Sequence, residues 1–428
     1  MAVKKISLIK SGTILFIASI TGNVSNYLFQ FFMGRYLSIE DYGAMNAVFS
    51  IMIIVGLPTT AIMLVIAKYI ATFKAKGEEA KVSSLYQNSL IKMAVLGVVC
   101  VAPFFVFNSL IAGYLKIDSG WPAIIIGIGL FFSFVIAVNL GMLQGLKRFY
   151  CLGAGMGLGG PIRLIFGALL VFLGLGLNGA LASTIFSGLL IFVITTIPLS
   201  AYFKKREAVE KDTKDILLYS IPVLLSCLIF ATMTNIDLIM VKHFFTPEQA
   251  GLYAAVTILA KTILYLPSAF VLAMFPIVSE SHALNHNVFK VLDKGLFYTV
   301  VISVAGLLIF YLFPEPTIRT LFGDRFVSVA PLLKIYGLAM MFMTVITVLI
   351  SFNLARHRTG FIYSLGAGCV LLIILLNLFH SSLLTVIFAM IGVYFCLMVV
   401  NLWMVYRDRR AFYRVMAVEE NCGGSRSG

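Results

Sequence analysis

The chain has 428 residues, 61% of them hydrophobic and 12% charged, with a mean hydropathy of +1.02. Soluble domains carry about 25% charged residues, so this composition excludes a soluble globular protein and predicts an all-α polytopic membrane protein. The net charge of +14 would suit a nucleic-acid partner, but its distribution argues against one.

Twelve spans of about 20 residues are predicted, near 11–33, 43–66, 93–115, 122–145, 150–175, 179–202, 216–241, 250–275, 295–313, 331–352, 360–379 and 383–405. The first begins after Lys10, is too long for a signal-peptide core and has no small-residue cleavage site behind it, so it reads as a retained span. With the N-terminus inside, 24 of the 32 Lys and Arg fall in cytoplasmic segments. Only Arg35, Lys116, Lys242, Arg319 and Arg325 fall outside. This is the positive-inside pattern. It accounts for the excess charge without nucleic acid. It predicts a multi-pass protein of the cytoplasmic (inner) membrane with both termini in the cytoplasm.

The longest polar stretch, Lys204–Asp215 (KKREAVEKDTKD), divides the spans into two groups of six. The expected lobes are 1–206 and 207–428, the second ending in a short cytoplasmic tail. The halves resemble each other. Ser38–Val48 (SIEDYGAMNAV) and Thr246–Val256 (TPEQAGLYAAV) match at a constant offset of 208, which pairs Gly43 with Gly251 and Ala47 with Ala255. The same offset pairs Leu146 with Leu354 and Arg148 with Arg356. Ordered matches at one offset make an internal repeat. An even number of spans per half makes it parallel, with its axis along the membrane normal and binding expected between the lobes near the midplane.

Exterior loops are short, which weighs against an enzyme working on such a loop. The longest, 313–330, carries Leu321-Phe322-Gly323, an apolar element expected to dip into the membrane interface. The cysteines Cys100, Cys151, Cys227, Cys369, Cys396 and Cys422 show no metal or redox spacing and read as packing residues. The histidines are dispersed, so no metal and no cofactor are expected.

Ionisable residues within spans carry the functional signal. Arg163 is the only charged residue from Phe149 to Phe203, and Lys261 the only one between Glu248 and Glu280. A charge at that depth costs about 2.5–3.5 kcal/mol on the lenient insertion scale and normally faces a protein interior or a wet cavity. Two cations of this kind suit an anionic passenger. Arg163 follows Gly159-Gly160-Pro161, and the pairs Gly153/Gly157 and Gly155/Gly159 permit close helix packing. Arg163 either faces a cavity, binding phosphate oxygens bidentately, or satisfies carbonyls freed at a Pro161 kink. Lys261 either faces the cavity or is paired with Asp237. Asp237, the one acid clearly within a span, is a candidate for H⁺ or Na⁺ coupling or a structural partner of Asn235 or of a neighbouring helix. Arg35 and Glu40, with Lys242 and Glu248 at the matching place, form either an outer gate or an interfacial snorkel with first-turn helix acids. Lys334 reads as a snorkelling side chain. Asn139 and other in-span asparagines read as helix glue or sugar ligands.

Several segments also resemble one family. Gly34–Gly43 (GRYLSIEDYG), Gln144–Phe149 (QGLKRF), Asn235-Ile236-Asp237 with Gly251-Leu252-Tyr253 and Lys261, and Arg319–Phe326 (RTLFGDRF) together resemble polysaccharide flippases of the multidrug/oligosaccharidyl-lipid/polysaccharide exporter superfamily. The resemblance covers almost the whole chain. It implies two six-helix lobes around a central cavity. It implies a cargo of polyprenyl-diphosphate-linked oligosaccharide, moved to the outer leaflet by alternating access. It also implies contacts with membrane lipids and with other polysaccharide-assembly proteins. Twelve spans are fewer than the lipid II branch carries, which disfavours a peptidoglycan precursor. Two alternatives stand beside it. One is a cation-coupled multidrug exporter of the sister branch, which would place acids rather than Arg163 and Lys261 at its centre. The other is a membrane glycosyltransferase or polymerase.

Overall fold

The computed structural model describes residues 2–203, 214–267, 274, 278, 288–356 and 358–423. Most of the linker 204–215 and the last part of the eighth expected span lie outside these residues. The described residues form helices and no strand. In chain order these are α1 (Ala2–Tyr36), α2 (Ile39–Gly56), α3 (Pro58–Ala75), α4 (Glu79–Val106), the short α5 (Asn108–Tyr114), α6 (Trp121–Gly145), α7 (Phe149–Leu170) and α8 (Gly176–Thr196). Then follow α9 (Lys214–Phe244), α10 (Pro247–Tyr265), α11 (Phe289–Leu312), the short α12 (Pro314–Phe322), α13 (Ala330–Ala355), α14 (Phe361–Leu378) and α15 (Leu383–Gly423).

Among the described residues, nine segments are long and apolar enough to cross a bilayer. One of them, Phe149–Phe203, contains two helices, α7 and α8, which pack against each other. The chain turns between them at Gly174 (φ +84°) and Gly176 (φ +47°), a left-handed conformation that glycine adopts without a Cβ clash. Helices α1 and α10 stand at the two remaining expected positions.

The 208-residue offset recurs in the helix ends. Helices α1 and α9 end at Tyr36 and Phe244, α2 and α10 begin at Ile39 and Pro247, and α5 and α12 end at Tyr114 and Phe322. The local cause repeats too. Ser38 Oγ accepts the Asp41 N–H at 3.0 Å. Thr246 Oγ1 accepts the Gln249 N–H at 3.3 Å, while Gln249 Oε1 accepts the Thr246 N–H at 3.3 Å. The second pattern is a reciprocal capping box, which starts a helix at a defined residue.

Two compact units form: Met1–Ala255 with Arg319–Phe326, and Val256–Ile318 with Val327–Gly428. In the first, α1 packs on α7, α6 lies against α3, α4 and α8, and α2 lies against α9. In the second, α13 packs on both α11 and α15, and α14 packs on α15. The sequence repeat divides the chain at 206/207, whereas packing divides it within α10. Helix α9, the start of α10 and the 319–326 segment all pack with the first half. The matched glycines show why. A Cβ on Gly43 would lie 2.6 Å from the Gly251 nitrogen, and one on Gly251 would lie 1.8 Å from the Ile39 carbonyl oxygen. The two matched glycines thus let α2 and α10 approach at backbone distance where the repeats join.

Candidate functional site

The neighbourhood of Arg163 is set by small residues. Helix α1 closes on α7 at the level of the backbone: a Cβ on Gly157 would lie 3.1 Å from Ala18, and one on Gly160 would lie 2.5 Å from the Gly22 carbonyl oxygen. Gly153 meets Ile14 on the same face. Gly155 instead faces Leu140 and Thr195, and the Gly159 carbonyl accepts the Ser187 hydroxyl at 2.8 Å. Of the two predicted glycine pairs, Gly153/Gly157 therefore seats α1, and the other faces α6 and α8.

That approach brings Phe29 of α1 to Arg163. The guanidinium lies 4.1 Å from the Phe29 ring centroid and 4.4 Å from that of Phe49 on α2. The rings stand edge to face, 6.3 Å apart. Phe29 is fully buried and Phe49 nearly so. The arginine itself is half-buried, and its Nε is buried with no hydrogen-bond partner. No ion pair among the described residues includes it. The alternative reading, an arginine bonded to carbonyls freed by Pro161, is not what forms among the described residues. Ring faces attract the cation without neutralising it.

Lys261 is 7% exposed, on the part of α10 that belongs to the second unit. Asp237, on α9 in the first unit, is fully buried, and its Oδ2 accepts the Tyr253 hydroxyl at 2.9 Å. The Asn235 side chain donates to the Ala231 carbonyl at 2.9 Å and to Thr234 Oγ1 at 3.2 Å. The signal for Tyr253 was available: a tyrosine early in the next span, just across the short turn after α9.

The four residues considered for a gate take different places. Glu40 and Glu248 are exposed in the first turns of α2 and α10, where the positive end of the helix dipole favours acids. Lys242 is 1% exposed; burial acts on its ammonium most, and the nearby charges are mixed, Glu40, Asp41 and Asp118 with the like-charged Lys116. Arg35 donates to the carbonyls of Leu321, at 3.2 Å, and Thr320. None of the four enters an ion pair among the described residues.

The segment around Leu321-Phe322-Gly323 corrects one expectation. Phe322 does not project into the membrane interface. It is 1% exposed and packs edge-on to Phe31 and Tyr42, its ring filling the space that a Cβ on Gly34 would need. A buried aromatic pocket offers more apolar contact than the headgroup region. Lys334 lies over the Tyr311 ring at 4.9 Å. Asn139 is interhelical glue: it accepts from Tyr86 at 2.9 Å and donates to Thr195 and Thr196 at 3.0 and 2.8 Å. The repeat-matched Arg148 and Arg356 both fasten the ends of their helices. Arg148 donates to the Pro198 carbonyl, and Arg356 lies 3.5 Å from Asp408. Among the described residues no group of three or more His, Cys, Asp or Glu converges as a metal site would require.

Residues 8–282 match the model of a family described as polysaccharide biosynthesis protein. An uncharacterized membrane protein of Methanocaldococcus jannaschii is 25% identical over 391 residues, covering 86% of this chain and 90% of that protein. Among solved structures, an inward-facing multidrug resistance transporter of the MATE family, in the MOP superfamily, superposes with a TM-score of 0.75. It is 15% identical, and the match covers 95% of this chain and 99% of that one. The lipid II flippase MurJ, inward closed, superposes with a TM-score of 0.67 at 16% identity, covering 93% and 87%. The chain belongs to the polysaccharide biosynthesis protein family and has the membrane fold of these MOP-superfamily transporters.

Proposed function

We propose that this protein is a flippase that carries a polyprenyl-diphosphate-linked oligosaccharide across the cytoplasmic membrane by alternating access. The observation that carries this reading is Arg163: a guanidinium held between two phenylalanine rings, inside the membrane, in no ion pair among the described residues. Such a group suits the diphosphate, whose oxygens match the arginine fork, while the prenyl tail stays in lipid. Membership in a polysaccharide biosynthesis family supports a glycan-bearing cargo. Lys261 is the further cation assigned to the head group. Asp237, with Tyr253, is the candidate for H⁺ or Na⁺ coupling. Neighbouring polysaccharide-assembly enzymes would supply and consume the cargo.

The test is flux in proteoliposomes, using a polyprenyl-diphosphate oligosaccharide whose outward appearance is read by glycosidase access. Arg163→Gln should lower flux at least about tenfold at unchanged membrane insertion, as loss of one charge-assisted phosphate contact predicts. Normal flux in both Arg163→Gln and Lys261→Gln would remove the reading. Asp237→Asn should reduce flux and abolish its dependence on an imposed H⁺ or Na⁺ gradient. Unchanged gradient dependence would make Asp237 a structural partner of Tyr253. A multidrug exporter would instead move organic cations at wild-type rate in the Arg163→Gln protein.

A further inference from the structure

Two sets of repeat-related residues meet at one end of the first unit. Arg35, at the end of α1, stands 208 residues before His243, at the end of α9. Tyr114, ending α5, stands 208 before Phe322, ending α12. In both sets the end of one repeat's first span is fastened to the short helix of the other repeat.

In the first set the fastening is reciprocal. Arg35 donates to the carbonyls of Leu321 and Thr320, the last turn of α12. Arg325, just beyond α12, donates to the carbonyls of Arg35 and Gly34, at 2.6 and 3.3 Å, the last turn of α1. Each guanidinium thus caps the other segment's helix, at the end where carbonyls lack intrahelical donors and the dipole is negative. Phe322 locks into place between Phe31 and Tyr42, at 5.4 and 5.7 Å between centroids. In the second set the His243 ring stacks on Tyr114, with 3.9 Å between centroids and planes within 7°. His243 Nδ1 bonds the Tyr114 carbonyl at 2.9 Å, and Lys116 Nζ donates to the Phe245 carbonyl at 3.0 Å. Both sets lie at the helix ends that the positive-inside distribution assigns to the exterior.

We infer that these two clasps are the transporter's exterior closure: they hold the repeats together on that side and open in concert when cargo leaves outward. The inference rests on the alternating-access reading above. The chemistry differs from that of the glycine contacts. Helices α1 and α7 inside a repeat, and α2 and α10 at Gly43 and Gly251 where the repeats join, meet backbone to backbone, a contact that cannot open without losing its packing, so the second serves as the pivot about which the clasps swing. The clasps use side chains donating to carbonyls, and Arg35, Lys116 and Arg325 are all exposed. Water can replace such bonds one for one, so they can break and reform, while the buried Phe322 ring between Phe31 and Tyr42 supplies the apolar contact that holds the first clasp shut. The pseudo-symmetry ties the two together, because one rotation about the repeat axis acts on both sets alike.

The experiment measures distances in the full chain, free of native cysteines and reconstituted in liposomes, with spin labels on one pair at a time. The pairs are Tyr36→Cys with Asp324→Cys, and Asp118→Cys with Thr246→Cys, all at exposed positions. Double electron–electron resonance should show a short and a longer population for each pair. Arg35→Ala with Arg325→Ala should enlarge the longer population at both pairs, by about fivefold for each hydrogen bond lost. Lys116→Ala with His243→Ala, a milder change, should do the same and covers the case in which the arginine variant fails to fold. One short distance at both pairs in every protein would make the clasps permanent joints and overturn the inference. A change confined to the mutated clasp would overturn the concerted opening. No cargo is needed, so a failed flux assay and a failed clasp are separate results.

Discussion

Arg163 and Arg356 are both arginines lodged between two phenylalanine rings, and they differ in one partner. Arg163 lies 4.1 and 4.4 Å from Phe29 and Phe49. Arg356 lies 5.2 and 5.0 Å from Phe289 and Phe352. Arg356 also has Asp408, with an N···O separation of 3.5 Å and the carboxylate 17% exposed, and Arg358 shares that carboxylate at 3.4 Å. Arg163 has no acid in any ion pair among the described residues. A buried cation with a carboxylate is a joint: its charge is spent inside the protein. One with only ring faces keeps its charge, and the proposed function assigns that charge to the cargo. Position agrees with this. Arg356 sits at a helix end, next to basic residues of the side assigned to the cytoplasm, whereas Arg163 sits in mid-span, two residues past Pro161.

The sharpest way to break this comparison is to exchange readouts. Arg163→Gln should abolish most flux with little change in thermal stability in detergent. Arg356→Gln should cost about 1–2 kcal/mol of stability, since it takes from a partly buried carboxylate the more buried of its two cations and leaves it only the exposed Arg358, while flux per folded molecule persists. The opposite pattern would reverse the assignment of the two residues. Next in size is Gly160→Ala. Its methyl would press on the Gly22 carbonyl and push α1 from α7, at about 1–3 kcal/mol for an overpacked contact. Because α1 carries Phe29, flux should fall along with stability. A stable but inactive Gly160→Ala protein would show that the α1–α7 distance matters for the site alone. The smallest effect should come from Phe49→Leu, which keeps the site apolar but removes one ring face, at about 1 kcal/mol. Flux should drop several-fold, more than the small loss of stability from the smaller side chain accounts for. The matching Phe352→Leu should lower melting temperature and leave flux alone.

Much of the fold is legible in the chain. Length and apolarity locate the spans, and the 208-residue offset pairs Ser38 with Thr246 before any helix is seen. Parts of the site were legible as well. An arginine alone in a span after Gly-Gly-Pro stands out by its energetic cost, and the Gly153/Gly157 spacing marks the face that α1 occupies. The partners were not legible. Phe29 and Phe49 are two among 36 phenylalanines, and nothing local distinguishes a ring under a cation from one facing lipid. Phe322 misled for the same reason: an apolar residue in an exterior loop fits a lipid surface and a protein pocket equally well by composition.

The sequence by itself determined that the chain spans a membrane, that helix ends recur at an offset of 208, and that cations rather than acids dominate the middle of its spans. These properties follow from hydropathy, charge and periodicity, which are local along the chain. Only the tertiary structure decided that Arg163 is held by rings, that Asp237 takes Tyr253, and that α9 and the 319–326 segment pack with the first half. Each of those outcomes depends on which helix faces approach, and that is settled where glycines remove the side chain that would have kept two backbones apart.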